Sequence, residues 1–294
     1  MTVLFAHGAQ GGAHGLLTTA LEQWPWEPVT LALLLASLVL YVKGVRALWR
    51  RAGPGAGIAR WEAAAFIMGL LSLACALLSP LTWLSSILFA AHMTQHEILM
   101  LVSAPLLVFG KPLLAFLWAF APHRRESLGG WARAPRVRQT WQAMTGPLLV
   151  FLLHAAALWL WHAPVLYEAA LRSSMVHAVQ HLMFVATAAL FWWGMVHGRY
   201  GRLGYGVGVL YVFLTAVHSS ILGALMALAP GVWYSSHAQA AGAWGFDALL
   251  DQQLAGLLMW VPSGVVFIVF GLALLAAWLG ESERRARLGS MSAG

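Results

Sequence analysis

The sequence predicts an all-α membrane protein: a seven-transmembrane-helix bundle with its N-terminus outside the cytoplasm and its C-terminus inside. Three observations carry that prediction. Of 294 residues, 61% are hydrophobic and only 9% charged, against about a quarter charged in a soluble domain. Seven apolar stretches approach the roughly 20 residues needed to cross a hydrocarbon core of ~30 Å. The basic residues fall almost entirely on one side of those stretches, as the positive-inside asymmetry requires.

Residues 1–27 precede any span and are expected to form a flexible extracytoplasmic tail. They contain no Lys or Arg and no long apolar core before a cleavage-like site, so no cleavable signal peptide is expected. The Gly-rich run Ala6–Gly15 carries His7 and His14, read as incidental histidines of a mobile segment. The membrane domain is expected over residues 28–279, followed by a cytoplasmic tail at 280–294. Span 1 runs from Pro28 to Trp49, and span 2 from Trp61 to Ser79, stopped by Pro80. Span 3 runs from Leu84 to Phe109 and is broken by Gly110-Lys111-Pro112. The apolar stretch Leu113–Ala121 is too short to cross; it lies at the interface or extends span 3 past the break. Ala121–Thr145 mixes arginines with Trp131 and Trp141 and reads as a headgroup-facing interfacial segment. Span 4 covers Gly146–His162, ending before Pro164; span 5 covers Ser174–Val196. Span 6 runs from Leu203 to Leu228, ending before Pro230, and span 7 from Leu250 to Leu279. The single cysteine, Cys75, sits in an apolar run and is expected to be a buried structural thiol.

Orientation follows from the cations. Lys43, Arg46, Arg50, Arg51 and Arg60 flank the first loop; Lys111, Arg124, Arg125, Arg133, Arg136 and Arg138 fill the third; Arg199 and Arg202 fill the fifth; Arg284, Arg285 and Arg287 lie at the C-terminus. Of the seventeen basic residues only Arg172 falls opposite. The net charge of +7 is thus a topology signal and excludes a nucleic-acid surface as the reading; membrane lipids are the expected contact.

Ionisable groups inside hydrocarbon are costly and face a protein interior or cavity. Here the pattern His-x-x-Gln-His occurs twice, at His92–His96 and His177–His181, on two spans of the same direction. Residues four apart share a helical face, so each pair can present two imidazoles to one ion. With this topology both pairs lie toward the outer leaflet, with His162 at the outer end of span 4 and Asp251 at the start of span 7. His218 lies in the outer-going half of span 6, and His154 nearer mid-depth. Met93, Met175, Met226 and Met259 fall in the same half, and thioethers favour Cu(I). The paired glutamines Gln95 and Gln180 can hold imidazole tautomers from behind. The competing reading is that single histidines simply hydrogen-bond between helices. It suits His154 and His218 better than the two repeated pairs. For Glu97, a buried protonated carboxyl and a ligand weigh equally. The candidate metal ligands are His92, His96, His177, His181, His162, Asp251 and His218. A parallel repeat, relating spans 2–3 to spans 4–5, would account for the doubled motif.

The residues also resemble a known family. His92-Met-Thr-Gln-His96 followed by Ala104-Pro105-Leu-Leu-Val-Phe-Gly110-Lys111-Pro112 is similar to the signature of the membrane-integral CtaG family of cytochrome c oxidase assembly factors, associated with the caa-type oxidase. Trp161-His162-x-Pro164-x-x-Tyr167, Phe191-Trp192-Trp193, Asp251-Gln252-Gln253-Leu-Ala255-Gly256 and Met259-Trp260 extend the resemblance across spans 3–7. The chain departs from the family in reading Ser103-Ala104-Pro105 where a doubled proline is frequent. The resemblance implies a multi-pass protein of the bacterial plasma membrane that handles copper at the outer face during maturation of a haem–copper oxidase. Its implied partners are oxidase subunits and a copper-donor chaperone, and its implied role is non-catalytic. The residues themselves leave two alternatives open. One is haem b held by one histidine from each helix. The other is a membrane zinc hydrolase with Glu97 or Asp251 as general base.

Overall fold

The computed structural model describes residues 12–22, 27–196 and 205–292. Every regular element among them is helical. Five helices are long and apolar enough to cross a bilayer: α2 (Pro28–Ala52), α3 (Arg60–Leu78), α12 (Ser174–Val196), α13 (Tyr205–Ala227) and α15 (Ala248–Ser292), whose apolar stretch is Ala248–Arg284. Two bent pairs raise the number to seven if each counts as one span: Phe89–Phe109 with α7 (Pro112–Ala119), bent by 53°, and α9 (Pro135–Met144) with α10 (Pro147–His162), bent by 52°. Leu33, Val39, Leu148, Ile268 and Leu272 are exposed on the outside of these helices, as side chains facing lipid must be.

Shorter helices fill the connections: α1 (Gly12–Glu22), α4 (Pro80–Leu84), α8 (Pro122–Arg133), α11 (Pro164–Arg172) and α14 (Ser235–Ala243). The expected flexible N-terminal tail is therefore helical over Gly12–Glu22; His7, Arg199 and Arg202 lie outside the described residues. α8 and α9 carry no buried residue, consistent with an interfacial segment. Cys75 is exposed rather than buried. The inward face of α3 is Glu62, Phe66, Gly69, Leu70, Leu73 and Ala76, and Cys75 falls off it.

Proline shapes the span that carries the first histidine pair. It consists of α5 (Phe89–Glu97), a π-helical turn (Ile98–Ser103) and α6 (Ala104–Phe109). Pro105 has no N–H, so the carbonyl it would have served is left open. In the widened turn Ala104 N–H reaches Leu99 O, and the next carbonyl in that register is that of Met100. Trp192 of α12 donates its indole N–H to Met100 O at 3.0 Å, replacing the missing donor and tying the two helices together. Gly110, Lys111 in the left-handed region (φ 50°) and Pro112 at the first position of α7 then turn the chain. Phe66 packs where a Cβ on Gly110 would stand (2.4 Å), Tyr41 donates to Gly110 O at 2.7 Å, and Lys111 pairs with Glu62 at 2.7 Å.

Two hydrophobic cores result. One joins α2, α3 and α7 through Tyr41, Phe66, Leu70 and Ala115. The other joins α5, α6, α10, α12, α13 and α15 through Phe89, Met93, Phe184, Phe191, Met226 and Met259. In the second, α13 and α15 meet backbone to backbone: a Cβ on Gly256 would stand 2.3 Å from Ala227 N and 2.7 Å from Gly223 O. Small residues at a membrane helix contact allow this approach. Pro262 lies inside α15, as membrane helices tolerate; beside it the Ser263 hydroxyl donates to Met259 O.

Candidate metal centre

The site begins with the anchoring of α5. Its first N–H groups have no intrahelical acceptor. Asp251, at the start of α15, supplies one: Phe89 N–H donates to Oδ2 at 2.7 Å and Ala90 N–H to Oδ1 at 3.1 Å. Gln95 donates to Ala76 O at 2.7 Å, closing the last turn of α3. The next side chains of the Asp-Gln-Gln run hold the segment after α13. Gln252 accepts from Trp233 N–H at 2.7 Å and donates to Gly231 O at 3.1 Å, and Gln253 donates to Ala229 O at 3.2 Å.

With α5 fixed, His92 and His96 project from one face, ring centroids 4.4 Å apart. His177 and His181 do the same on α12 at 4.2 Å. The two pairs meet: His92 stacks on His177 at 5.3 Å with 20° between planes, and His96 meets His181 edge-on at 5.4 Å. His162, at the end of α10, lies 6.1 Å from His96. Candidate ligand atoms of His92, His96 and His177 all fall within 4.8 Å of one another. Nitrogens bound to a common ion at about 2.0–2.1 Å stand at most ~4.2 Å apart. Three nitrogens around one ion stand roughly 3.3–3.6 Å apart at these bond lengths, so side-chain adjustments on the order of an ångström would close the set.

Tautomers are set from outside the cluster. A carbonyl only accepts, so His92 Nδ1 must donate to Ser85 O (3.2 Å), leaving its Nε2 lone pair for a ligand. His162 Nδ1 likewise donates to Leu158 O at 2.6 Å, and its Nε2 lies 3.3 Å from Met93 Sδ. Within the cluster, the buried ring nitrogens without a protein partner are His92 Nε2, His96 Nδ1 and Nε2, His177 Nε2 and His181 Nε2. Each imidazole of the two pairs thus keeps at least one buried ring nitrogen that no protein group engages.

Not every expected ligand joins. Asp251 commits both oxygens to the α5 N-terminus and acts as an anchor. His218, on α13, meets His154 instead, ring centroids 6.4 Å apart. Met175 is exposed. Neither glutamine holds an imidazole: Gln95 caps α3, and Gln180, buried, has no partner for either amide atom. Conversely, α14 brings a histidine that spacing did not reveal. His237 lies 5.7 Å from His92. Its Nδ1 donates to Ile87 O at 3.4 Å, and its Nε2 accepts from Tyr167 Oη at 2.7 Å. It closes the cluster on the α14 side without a free lone pair. Tyr234 donates to His162 O at 2.7 Å. Glu168 holds α14 down by accepting from Ser235 Oγ and from the Ser236 N–H and Oγ. Burial raises the Glu168 carboxyl, but these bonds and Arg172 outweigh it, so it lies below the usual carboxylate range.

A family model described as cytochrome c oxidase caa3 assembly factor (Caa3_CtaG) matches residues 39–281. The chain belongs to this family. The matched range contains all the cluster histidines, the Asp251 anchor and the π-helical turn. Relatives of this Caa3_CtaG chain include an uncharacterized protein of Mycobacterium tuberculosis, 24% identical over 212 residues, covering 68% of this chain and 31% of the relative. An uncharacterized protein of Mycobacterium leprae is 23% identical over 245 residues, covering 80% of this chain and 36% of the relative. The chain thus spans about a third of the length of these relatives. No solved structure matches it.

Proposed function

We propose that this membrane assembly factor binds copper at the His92–His96–His177 centre, with His181, His162 and Met93 alongside, and passes it on during maturation of a haem–copper oxidase. The observation that carries this reading is that the four imidazoles of α5 and α12 keep buried ring nitrogens without protein partners, and that ligand atoms of three of them, His92, His96 and His177, lie within 4.8 Å of one another. Copper is cargo here. The chain's part is to present unprotonated Nε2 atoms, orient them through Ser85 and Leu158 carbonyls, and exclude water behind Phe89, Phe184 and Tyr167. Nothing in this arrangement calls for catalysis. The asymmetry of the cations supports a position of the centre toward the outer leaflet of a bacterial plasma membrane, with the C-terminus cytoplasmic. The receiving partners are oxidase subunits and the supplying one is a copper chaperone. The packing weighs against the haem alternative and against Asp251 as the base of a zinc hydrolase. Rings 4.2–5.4 Å apart leave no slot for a porphyrin plane, and of the two candidate bases for a zinc hydrolase Asp251 is committed to backbone N–H groups, while Glu97 keeps one buried carboxylate oxygen without a protein partner.

The test is elemental analysis and an ultraviolet–visible spectrum on purified full-length protein, beside a His92→Ala/His96→Ala/His177→Ala variant of matched helicity. The expected result is loss of copper from the centre in the variant. Copper content unchanged by the three substitutions sinks the site, and a Soret band in the parent transfers it to haem.

A further inference from the structure

We propose that His154 and His218 form a second, separate cuprous-ion site inside the bundle, about 10 Å deeper than the centre above. The proposal rests on the preceding reading only for the choice of cation; the site itself is built from different residues. His154 is on α10, eight residues from His162, which is ~12 Å along a helix. Thr187 of α12 is six residues beyond His181, or ~9 Å. His218 is at the middle of α13. The three side chains come together at one depth.

The geometry is that of a two-coordinate site. Thr187 Oγ1 spends its hydrogen on Met183 O at 2.8 Å. At its contact with His154 Nδ1 (3.2 Å) it therefore accepts, and the ring must carry its proton on Nδ1. That leaves the His154 Nε2 lone pair for a ligand, the same device by which ligating histidines are held elsewhere. Opposite it, His218 has both ring nitrogens buried with no protein partner, although several backbone carbonyls and hydroxyls lie on the same helices. The ring centroids are 6.4 Å apart. Allowing for the radius of each ring, that separation admits one cation between facing nitrogens at metal–nitrogen distances of about 2.0 Å.

The walls select the ion. Phe151 stands 5.5 Å from His218, and Phe191 lies 5.9 Å from His154 and stacks on Tyr211 at 5.1 Å. Among the described residues of this group the oxygen donors are the Thr187 and Tyr211 hydroxyls, and no carboxylate is among them. A hard divalent ion needing four to six ligands is poorly served. A soft monovalent ion content with two imidazoles and stabilised by aromatic faces fits. Phe184, fully buried and 4.7 and 5.9 Å from His96 and His162, stands on α12 three residues after His181 and three before Thr187, at a depth between the two sites.

The experiment is cuprous titration of the purified full-length protein under reducing, anaerobic conditions against a colorimetric Cu(I) chelator. The parent is compared with His154→Leu/His218→Leu, with Thr187→Val, and with the three-histidine variant of the outer centre. The expected result is two ions in the parent and one in His154→Leu/His218→Leu. The ion retained by the outer-centre variant should show the X-ray absorption edge of two-coordinate Cu(I). Thr187→Val frees the tautomer with little change of volume and should weaken only the inner ion, by about 10–100-fold. An inner pair variant that is folded, by helicity and elution position, and still takes up as much copper as the parent overturns the proposal. A parent that binds one ion, absent from the outer-centre variant, overturns it as well while leaving the outer centre intact. A parent with one ion that survives in the outer-centre variant and vanishes in His154→Leu/His218→Leu supports the inner site and sinks the outer one.

Discussion

Replacing Asp251 by Asn separates anchoring from ligation. The carboxylate accepts two backbone N–H groups, from Phe89 at 2.7 Å and Ala90 at 3.1 Å, and is itself buried. Asn keeps the shape but offers one oxygen; its amide N–H2 faces the other donor, which is left unpaired. Hydrogen bonds to a charged acceptor contribute about 1.5–3 kcal/mol, and an orphaned buried donor costs about 1–3 kcal/mol. With one bond weakened and one lost, Asp251→Asn should destabilise by about 2–4 kcal/mol. At roughly 2–4 °C per kcal/mol for a chain of this size class, Tm falls by roughly 4–16 °C. The assay is thermal unfolding in detergent followed by tryptophan fluorescence, with copper content measured on the same sample well below Tm. Anchoring predicts a lower Tm with copper stoichiometry preserved. An unchanged Tm with copper lost would refute the reasoning and return Asp251 to the ligand set.

Gly256→Ala places a methyl 2.3 Å from Ala227 N, so α13 and α15 must part; overpacking of this kind costs about 1–3 kcal/mol. Gly264→Ala, on the same helix with nothing within 4 Å, should leave Tm unchanged or slightly raised, and equal effects of the two would count against the close contact. Met93→Leu keeps the volume and should cost less than about 1.5 kcal/mol. If the thioether joins the outer centre, cuprous affinity falls while zinc affinity does not, and chelator competition with both ions reads this directly. Burial, opposed by the bond to Ile87 O and the nearby Glu168 charge, holds His237 down at about 4. The unfolded chain therefore binds the extra proton first as pH falls, and stability present above about 6.5 is lost between about 6.5 and 4. In metal-free protein His237→Gln should flatten Tm against pH across that window; an unaltered slope would show that His237 is not the group responsible.

The membrane class, the spans and the two histidine pairs are all written in local pattern. Apolar runs long enough to cross, a one-sided distribution of cations, and imidazoles four residues apart are properties of a helix read along its own axis. Even the Gly110-Lys111-Pro112 break is a backbone rule, and the structure bends there. What spacing could not carry was partnership. Asp251 and His218 looked equivalent to the cluster histidines, since each is a polar group entering the bilayer. Only the meeting of α15 with the α5 N-terminus turns Asp251 into a helix cap, and only the rotation of α13 turns His218 toward His154. His237 sits in a short polar helix outside the spans, where nothing periodic marks it. The one signal was Tyr167 in the Trp161–Tyr167 motif, whose hydroxyl meets His237 across 70 residues.

The sequence alone marked this chain as a multi-pass membrane protein and showed its two His-x-x-Gln-His pairs. The family match over residues 39–281 agrees with the motifs that suggested it. Tertiary structure decided which nitrogens converge, which tautomers they hold, and which polar side chains serve backbone instead. The physical reason is that a ligand set depends on helix phase and approach. Here these are governed by contacts far apart in the chain: the Pro105 turn closed by Trp192, the Gly223–Gly256 approach, and the Asp251 cap.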